Sequence, residues 1–420
     1  MVYIFLYNVI YIKSDFWKLR FQENQQMILI ASPYCLNELS VTNRCCFDEI
    51  HQISRDFHET DYHEIQEIIF FYIEKYGASN IRLLTNEDSA QLTYGRLREK
   101  YGIPGPKFDA LLPFVNKVVC KERIKHTVKI PKFVHFDKQL YSNRTVLYLE
   151  ELEAFLGFPM FAKPIDLVSS VETHFIPDMQ HLKKIADRIF SHPYEFEIDE
   201  FIEGDLFHCD ALIVDESVQF FMAGQCSFAL SRFFEGKPVG SIPVEDESRL
   251  ESLKNFSLKV FSALKCHSGA YHLEAFLEKK SGELIFLELG ARTGGALITK
   301  VYERLFSLNI EEANYKIQME LTKKITFQPR YLSCGFLNFP KMNGVVTEIR
   351  KPSLNIESEF IEFVSRGEEL AQAKNLLDIS CSILFWDTSP SKVKEAFDFL
   401  KNYHPITLEN HRITQCSALL

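Results

Sequence analysis

Two glutamates occupy matching positions in a predicted β-hairpin, and their spacing suits metal chemistry. Apolar arms run over 271–277 and 283–290 and are joined by the polar turn E-K-K-S-G. A register that sets Glu274 opposite Glu288 places both carboxylates on one face, with Cβ atoms about 5 Å apart. Facing anions in a buried sheet repel and lose hydration, so a cation is expected between them, and Mg²⁺ takes carboxylate and phosphate oxygens together. The alternative is that one or both glutamates point to solvent or pair with Lys or Arg.

The run E-L-G-A-R-T-G-G at 288–295 adds groups that bind anions. Arg292 offers planar donors to phosphate oxygens, while Gly294 and Gly295 let backbone amides approach an anion closely. Together with the glutamates they predict a phosphoryl-transfer site. Taken singly, the arginine is more often a surface ion pair, and paired glycines are more often a turn.

Three upstream features fit the same chemistry. Lys163 lies in the apolar strand M-F-A-K-P, and because burying an unpaired lysine is costly, it is expected to reach a ligand or a carboxylate. Lys117, before a helix-like run, would alone be an unremarkable exposed residue. In E-F-I-E-G-D at 200–205, apolar backbone can contact a flat base while Glu203 or Asp205 accepts ribose hydroxyls, although this is also a common strand-turn pattern.

Alternating strands and helices in the first quarter of the chain predict a parallel α/β layer that supports these residues. The predicted elements are a strand from Met27, a helix from an Asp61 cap with Glu64 to a C′ glycine at Gly77, a strand over 81–85, a helix over 87–101 and a breaker at 102–106.

The first 26 residues are predicted to be an extension before the first domain. The apolar stretch over 1–12 is shorter than the ~20 residues that span a bilayer, and it lacks the basic region and cleavage site of a signal peptide. An interfacial anchor is the alternative, and no membrane span is expected later in the chain.

The rest of the chain reads as α+β. Strands are predicted at 160–164, 197–202 and 206–214, with helices at 178–190 and 248–266. The tail predicts a Gly344 turn, a strand over 380–386 and a capped helix from Ser389-Pro390 to Lys401. The predicted boundaries are an extension at 1–26, an α/β domain at 27–106, a central domain at 107–330 with halves near 107–198 and 199–330, and a C-terminal domain at 331–420.

Length, charge and cysteine content bear on the number of domains, the binding partners and the compartment. At about 150 residues per domain, 420 residues predict two to four domains. A net charge of -10 without a Lys/Arg-rich run argues against nucleic-acid and anionic-membrane binding. The ten cysteines are scattered apart from Cys45-Cys46, which favours reduced thiols and a cytoplasmic protein.

In chain order, the α/β domain, N-K, K-P, E-F-I-E-G, L-E-A-F and L-E-L-G-A-R-T-G-G resemble the ATP-grasp superfamily, and specifically its carboxylate-amine ligases of the L-amino acid ligase and carnosine synthase type. The resemblance covers roughly 27–320 and is weaker over the tail. It implies an N-terminal parallel α/β (pre-ATP-grasp) domain, a central ATP-grasp domain of two α+β halves, and a small C-terminal α+β closing domain.

The resemblance also implies roles for residues. Glu274 and Glu288 would bind one or two Mg²⁺ ions, with Mn²⁺ as a substitute, and Arg292 would stabilise the transferring phosphoryl group. The nucleotide would be bound by Lys117 and Lys163 at the phosphates, by Glu200, Phe201 and Ile202 at the adenine, and by Glu203, Asp205 or His208 at the ribose.

The implied reaction forms an acyl phosphate on a carboxylate at the expense of ATP, and an amine then displaces phosphate to give an amide. The partners would be small-molecule acids and amines, and such ligases are often homodimers. The acceptor carboxylate is expected near Gly294-Gly295 and the segment 227–240, where Arg232 would pair with it. Phe233 and Phe234 would shape a side-chain pocket or belong to the core.

The sequence departs from the family pattern in three places. The ribose position is shifted, which leaves Asp205 and His208 as competing candidates. Gly290 stands where the family often has a metal-binding Asn, so one ligand is lost or replaced by water. The phosphate-covering loop at 163–173 has no glycine, so Ser169 and Ser170 would be its donors and closure over ATP would be stiffer. Two rival functions are considered. The first is another ATP-grasp chemistry, carboxylase-like or of the purine pathway. The second, suggested by the glycine-free loop, is a nucleotide-binding protein that has lost catalysis.

Overall fold

A computed structural model describes residues 1–10, 12–21, 24–54, 62–330 and 332–409. These residues form two compact units. The first contains Met1–Val168, Glu172–Gly224 and Val244–Arg330, and the second contains Ser169–Val171, Gln225–Pro243 and Tyr331–Leu420.

The described residues form nineteen β-strands. In chain order they are β1 Val2–Tyr7, β2 Gln26–Ala31, β3 Glu49–Gln52, β4 Ile81–Thr85, β5 Phe133–His135, β6 Met160–Pro164, β7 His174–Ile176, β8 Phe196–Glu200, β9 Gly204–Val214, β10 Ser217–Cys226, β11 Val239–Pro243, β12 Gly269–Glu278, β13 Leu284–Gly290, β14 Ser333–Pro340, β15 Gly344–Ile349, β16 Glu357–Glu362, β17 Glu369–Leu370, β18 Ile379–Asp387 and β19 Ile406–Glu409.

The α-helices lie mainly in the first unit. They are α1 Pro33–Asn37, α2 Val41–Arg44, α3 Tyr62–Tyr76, α4 Asp88–Tyr101, α5 Phe108–Leu111, α6 Lys117–Ile124, α7 Lys138–Leu156, α8 Met179–Ser191, α9 Glu247–Leu264, α10 Ile298–Phe306, α11 Ile310–Gln318 and α12 Pro390–Leu400.

The N-terminal sheet is parallel, as predicted, but the prediction that residues 1–26 form an extension is wrong. The strand order is β3-β2-β1-β4, so β1 lies inside the sheet between β2 and β4. All six residues of β1 are buried. A strand covered on both faces is apolar throughout, which is why V-Y-I-F-L-Y lacks the alternation of a half-buried strand.

Helices α3 and α4 pack on this sheet and match their predicted spans. Ile65, Ile69 and Tyr72 of α3 are buried in the same cluster as Ile4 of β1. Gly77, which follows α3, has a φ of +79°, a backbone conformation that favours glycine. The predicted cap at Asp61 lies outside the described residues.

A second sheet of the first unit carries Lys163. Its order is β5-β8-β6-β7, and neighbouring strands pair antiparallel. Helices α7 and α8 cover one face through an apolar cluster that includes Leu152 and Leu182. On β6, Lys163 lies directly opposite Glu197 of β8.

A third group of strands carries the predicted glutamates. The order β13-β12-β9-β10 places the hairpin beside the long strand β9. One face packs against α6 and α9 through a cluster that includes Tyr271, Leu273 and Cys209. Side chains alternate between faces, so Glu274 and its neighbours two residues away lie on the opposite face.

The second unit is α+β, as predicted for the tail. Strands β11-β14-β18-β16 are antiparallel, and β17-β15-β19 form a small separate sheet. Phe397 and Leu400 of α12 pack with Phe385 of β18. The helix begins at Pro390, but the Ser389 side chain makes no capping bond and instead contacts the Ser391 hydroxyl.

Among the described residues, no helix combines the length and apolar character needed to cross a membrane. The nine cysteines in this part of the chain are free thiols, and most of them are buried.

Candidate active site

The two glutamates of the hairpin are register partners, which confirms the predicted pairing. Glu274 of β12 lies opposite Glu288 of β13, and a bulge follows Glu274. Glu274 is 6% exposed, whereas Glu288 lines an open pocket. Burial disfavours the Glu274 charge, but His272 and Arg292 outweigh it and lower the pKa of the carboxyl group. Two carboxylates on one face provide the hard oxygen donors that fit Mg²⁺.

Arg292 is held by an aspartate from the N-terminal layer. Its Nε donates to Asp88 Oδ2 at 2.5 Å, and its Nη1 donates to the Thr293 carbonyl at 3.0 Å. Burial opposes the charge of the guanidinium, but Asp88, Glu288 and Glu274 together raise its pKa. Asp88 is the first residue of α4, and the sequence patterns did not indicate this pairing.

Arg292, Glu288 and Asp88 share one pocket with Lys117. These residues come from α4, α6, β13 and the loop that follows β13. Asp88 Oδ1 is buried and accepts no hydrogen bond from any described residue. Other lining residues are Pro113, Phe114, Val115, Cys120, Val168, Phe286, Leu287, Leu289 and Gly290.

Lys117 is the first residue of α6. Its backbone N–H donates to the Ile165 carbonyl at 2.8 Å, and its Nζ donates to the Leu167 carbonyl at 2.6 Å. Asn116 caps the helix by accepting from the Val119 amide. The predicted N-K pair therefore places an ammonium group and a helix N-terminus beside Glu288.

Lys163 does reach carboxylates, but it shares them with a second lysine. Its Nζ lies 3.1 Å from Asp199 and 3.5 Å from Glu197. Lys121 of α6 contacts the same two groups at 2.6 and 2.9 Å. Burial lowers the pKa of Lys163, but Asp199, Glu197 and more distant Glu288 outweigh it and raise the pKa overall.

The sequence contains a signal for this charge cluster that was not used. Acidic and apolar residues alternate in F-E-I-D-E at 196–200, and Lys121 follows Lys117 by one helical turn. Acidic residues on the inner face of a buried strand require a cationic partner.

The glycine-free loop adopts left-handed backbone conformations at non-glycine residues. Ser169, Ser170 and Glu172 have φ values of 58°, 56° and 54°. Ser169 and Ser170 belong to the second unit, where the Leu376 amide donates to the Ser169 carbonyl at 3.3 Å. Stiffer closure of this loop stays a prediction.

The predicted adenine hinge follows β8. The Glu200 carboxylate accepts from the Lys132 amide at 2.8 Å, so it is engaged at the sheet edge. The exposed Phe201 meets Phe175 edge-on at 5.1 Å, while Ile202 is buried. Of the ribose candidates, Glu203 pairs with Lys279 at 3.0 Å and Asp205 is exposed.

His208, the third ribose candidate, lies farther along β9 than Asp205, and its role as a ribose contact stays a prediction. It lies on β9 directly opposite Glu274, on the face that carries the glutamates. Its Nδ1 is 2.7 Å from Asp210, and its Nε2 lies where a side chain on Gly224 would have to stand. Residues 205 and 208 are three positions apart on β9, so their side chains lie on opposite faces of the sheet.

Asp210 is the acceptor at the centre of this face. It accepts from Nδ1 of His208 and from Nδ1 of His272 at 2.8 Å, and from the Tyr302 hydroxyl at 2.6 Å. Burial raises the pKa of Asp210, but the two histidines outweigh it and lower the pKa overall. Burial lowers the pKa of His272, but Asp210 and Glu274 raise it to about 9, so the ring is cationic at neutral pH.

The predicted substrate glycines differ in their surroundings. A Cβ on Gly294 would meet Asp210 Oδ1 at 2.9 Å and Ile298 at 2.7 Å, whereas a Cβ on Gly295 would meet nothing within 4 Å. Arg232 lies in the second unit, where its Nε is 2.6 Å from Glu235. The Lys13 ammonium donates to the Gly294 carbonyl at 3.3 Å. This lysine was missed because its segment was predicted to be an extension.

Phe233 belongs to the core and Phe234 packs against it. Phe233 is fully buried in a cluster of the second unit, and Phe234 is partly buried at its edge. The structure therefore favours the core interpretation over the pocket for Phe233.

The loop over 291–297 is anchored by the N-terminal layer. Asn86 donates to the Thr293 hydroxyl at 2.8 Å and accepts from the Thr293 amide at 3.0 Å. It also donates to Glu311 of α11 at 3.1 Å. Thus the segment after β4 holds both Thr293 and Arg292.

Comparisons with known proteins show which proteins this chain is similar to. Residues 125–295 match the family described as D-ala D-ala ligase C-terminus. The structure resembles the crystal structure of an L-amino acid ligase from Bacillus licheniformis, with a TM-score of 0.72 and 16% identity over 97% of this chain and 99% of that one. The chain has the fold of the ATP-grasp ligases.

Other known proteins show the same resemblance. The L-arginine-specific L-amino acid ligase of Bacillus subtilis is 23% identical over 356 residues, which is 82% of this chain and 80% of the relative. The biotin carboxylase domain of a Hydrogenobacter thermophilus 2-oxoglutarate carboxylase, solved with MgADP and bicarbonate, has a TM-score of 0.63 and 14% identity over 97% of this chain and 90% of that one. The predicted fold class and the predicted resemblance to ATP-grasp ligases are confirmed, and the curated relatives are ligases.

Proposed function

We propose that this ATP-grasp protein is an ATP-dependent carboxylate-amine ligase that forms an amide or peptide bond through an acyl phosphate. The observation that carries the proposal is the pairing of Glu274 with Glu288 across the hairpin, beside Arg292 and Lys117. The curated relatives favour this ligase chemistry over a carboxylase-like reaction.

ATP and magnesium would be bound by groups on two of the sheets described above, β5-β8-β6-β7 and β13-β12-β9-β10. Lys117 and Lys163 would contact phosphate oxygens, and the hinge of Glu200, Phe201 and Ile202 would receive the adenine. Glu203 or Asp205 would hold the ribose. Glu274 and Glu288 would bind one or two Mg²⁺ ions, or Mn²⁺ in their place. When bound, the ion neutralises charge on the phosphate oxygens.

The chain's own part in the reaction is to position groups and stabilise charge. Arg292, fixed by Asp88, would place donors against the growing negative charge of the transferring phosphoryl group and the acyl phosphate. Lys163, held between Glu197 and Asp199, would keep its ammonium fixed while ATP is bound. Gly290 supplies no side-chain ligand, so the protein offers two carboxylates where the family often adds an amide.

Amino acids or a small carboxylic acid are the substrates we propose. The space over Gly295 would admit the acid, and Arg232 is the predicted partner of a carboxylate. The arginine specificity belongs to the Bacillus subtilis relative. We also propose a cytoplasmic location and a homodimer, which light scattering of the purified protein would test.

Phosphate release with Mg-ATP, scanned over pairs of amino acids and over bicarbonate, tests the function. We expect release that requires both an acid and an amine, with a product whose mass is their sum less water. Bicarbonate-dependent release without an amine would select a carboxylase, and tight ATP binding without turnover would select an inactive nucleotide-binding protein.

A further inference from the structure

A buried aspartate next to the glutamate pair gathers three donors from three elements. Asp210 of β9 is fully buried and accepts from His208 on its own strand, from His272 on β12 and from Tyr302 on α10. An ionised carboxylate is a pure acceptor, so each partner presents a hydrogen to it. The carboxylate therefore fixes which ring nitrogen of each histidine faces it.

His272 connects this aspartate to Glu274. Its Nδ1 lies 2.8 Å from Asp210 Oδ1, and its Nε2 lies 3.3 Å from Glu274 Oε1. The ring is thus held between two carboxylates. One oxygen of Glu274 faces the imidazole, which leaves the other oxygen for the side of Glu288.

Asp210 also lies against the loop that carries Arg292. A Cβ on Gly294 would stand 2.9 Å from Asp210 Oδ1, so the glycine lets this loop pack on the aspartate. Tyr302, the third donor, belongs to the helix that follows the same loop. The Asp210 carboxylate therefore lies between His272, which contacts Glu274, and the loop that carries Gly294 and Arg292.

We propose that Asp210 and His272 are positioning residues that orient Glu274 toward the dication and keep the Gly294 loop in register with it. The inference rests on the proposed function, because it assumes that Glu274 binds a metal. Groups that hydrogen-bond a metal ligand from behind fix its orientation, and their loss typically weakens metal affinity about 10- to 100-fold.

The test compares Asp210→Asn and His272→Gln with the wild type. Mn²⁺ binding is measured by electron paramagnetic resonance in the presence of a non-hydrolysable ATP analogue. We expect both variants to bind Mn²⁺ about 10- to 100-fold more weakly, while affinity for the metal-free nucleotide changes less than twofold. Circular dichroism checks that each variant is folded.

His51→Gln is the matched control. His51 Nε2 lies 2.7 Å from the Tyr72 hydroxyl and 3.7 Å from Glu49, so it has a similar tyrosine and carboxylate environment in the N-terminal sheet. It should leave Mn²⁺ affinity unchanged. If Asp210→Asn does not fold, Tyr302→Phe removes a single donor to Asp210 and should weaken Mn²⁺ binding severalfold.

The outcomes separate this inference from the ligase assignment. Folded Asp210→Asn and His272→Gln variants with wild-type Mn²⁺ affinity would overturn the positioning role, whatever the product assay gives. A wild type that binds Mn²⁺ with the nucleotide analogue but makes no amide would overturn the ligase function, and weaker Mn²⁺ binding by the two variants would still support the positioning role.

Discussion

Two buried charge clusters of the first unit differ in their balance. Around Lys163, two lysines face two carboxylates, so the cluster is neutral without any ligand. Around Glu274, Asp88 is matched by Arg292 and Asp210 by His272, while Glu274 and Glu288 face each other as a pair of acids. A balanced cluster positions its members, whereas an acidic excess favours a bound cation.

Glu288→Gln should produce the largest effect, because it removes half of the acidic pair. We expect Mg²⁺-dependent ADP release to fall about 10²- to 10³-fold with the fold intact. Metal-free protein should melt at a slightly higher temperature, since one repulsion is gone. Glu283→Gln is the control, since Glu283 is exposed on the same hairpin and pairs with Lys129. Unchanged ADP release in Glu288→Gln would contradict the metal assignment.

Lys121→Met tests the balanced cluster. It leaves Glu197 and Asp199 with only Lys163, and breaking such a buried pair should lower the free energy of unfolding by about 3 to 5 kcal/mol. Urea denaturation measures this. Lys125→Met, four residues along at an exposed ion pair with Glu122, should change it by less than about 1 kcal/mol. If Lys121→Met lowers the free energy of unfolding no more than Lys125→Met does, the cluster adds nothing to stability.

Glu87 represents a third arrangement, a buried carboxylate held by backbone amides. Glu87 Oε1 accepts from the amides of Asn8, Val9 and Ile10, yet burial outweighs these bonds and raises the pKa to about 7. The folded state therefore binds more protons than the unfolded one between the two pKa values, so stability falls as pH rises from the ordinary carboxyl range to about 7.

Glu87→Gln should remove that slope, because the amide oxygen still accepts the three N–H groups without titrating. Urea melts at pH 5 to 8 should show a variant that gains up to about 3 kcal/mol on the wild type as pH rises. Glu99→Gln, exposed on the same helix α4, should keep the wild-type slope. A parallel pH profile for Glu87→Gln would exclude a raised pKa.

Ser170→Gly should have the smallest effect, and it examines the loop that follows Lys163. Glycine relieves a left-handed strain of about 1 kcal/mol, and the freer unfolded chain offsets part of that gain. We expect a melting temperature within a degree or two of wild type and faster ATP turnover if closure is stiff. Ser191→Gly, within a helix, should only destabilise. Slower turnover in Ser170→Gly would argue that the strained loop is the working conformation.

Local patterns predicted much of this protein. Apolar runs and turn residues placed β4 and β6 at their observed bounds, and the turn length of the hairpin predicted that Glu274 faces Glu288. Where the local signal was ambiguous, the prediction was wrong. The apolar stretch of β1 has no alternation to reveal a strand, because neighbouring strands and helices bury both of its faces.

Alternation, caps and hairpin register are short-range properties, so they can be read from neighbouring residues in the chain. The partners of the charged groups cannot be read in this way. Asp88 and Arg292 are 204 residues apart, Lys121 and Glu197 are 76 apart, and Tyr302 and Asp210 are 92 apart. Each of these contacts depends on how helices and strands that are distant in the sequence pack together. A carboxylate within an apolar segment therefore indicates that a cation or a hydrogen-bond donor is needed. Only the folded chain shows whether a lysine, a histidine, a backbone amide or a metal ion meets that need.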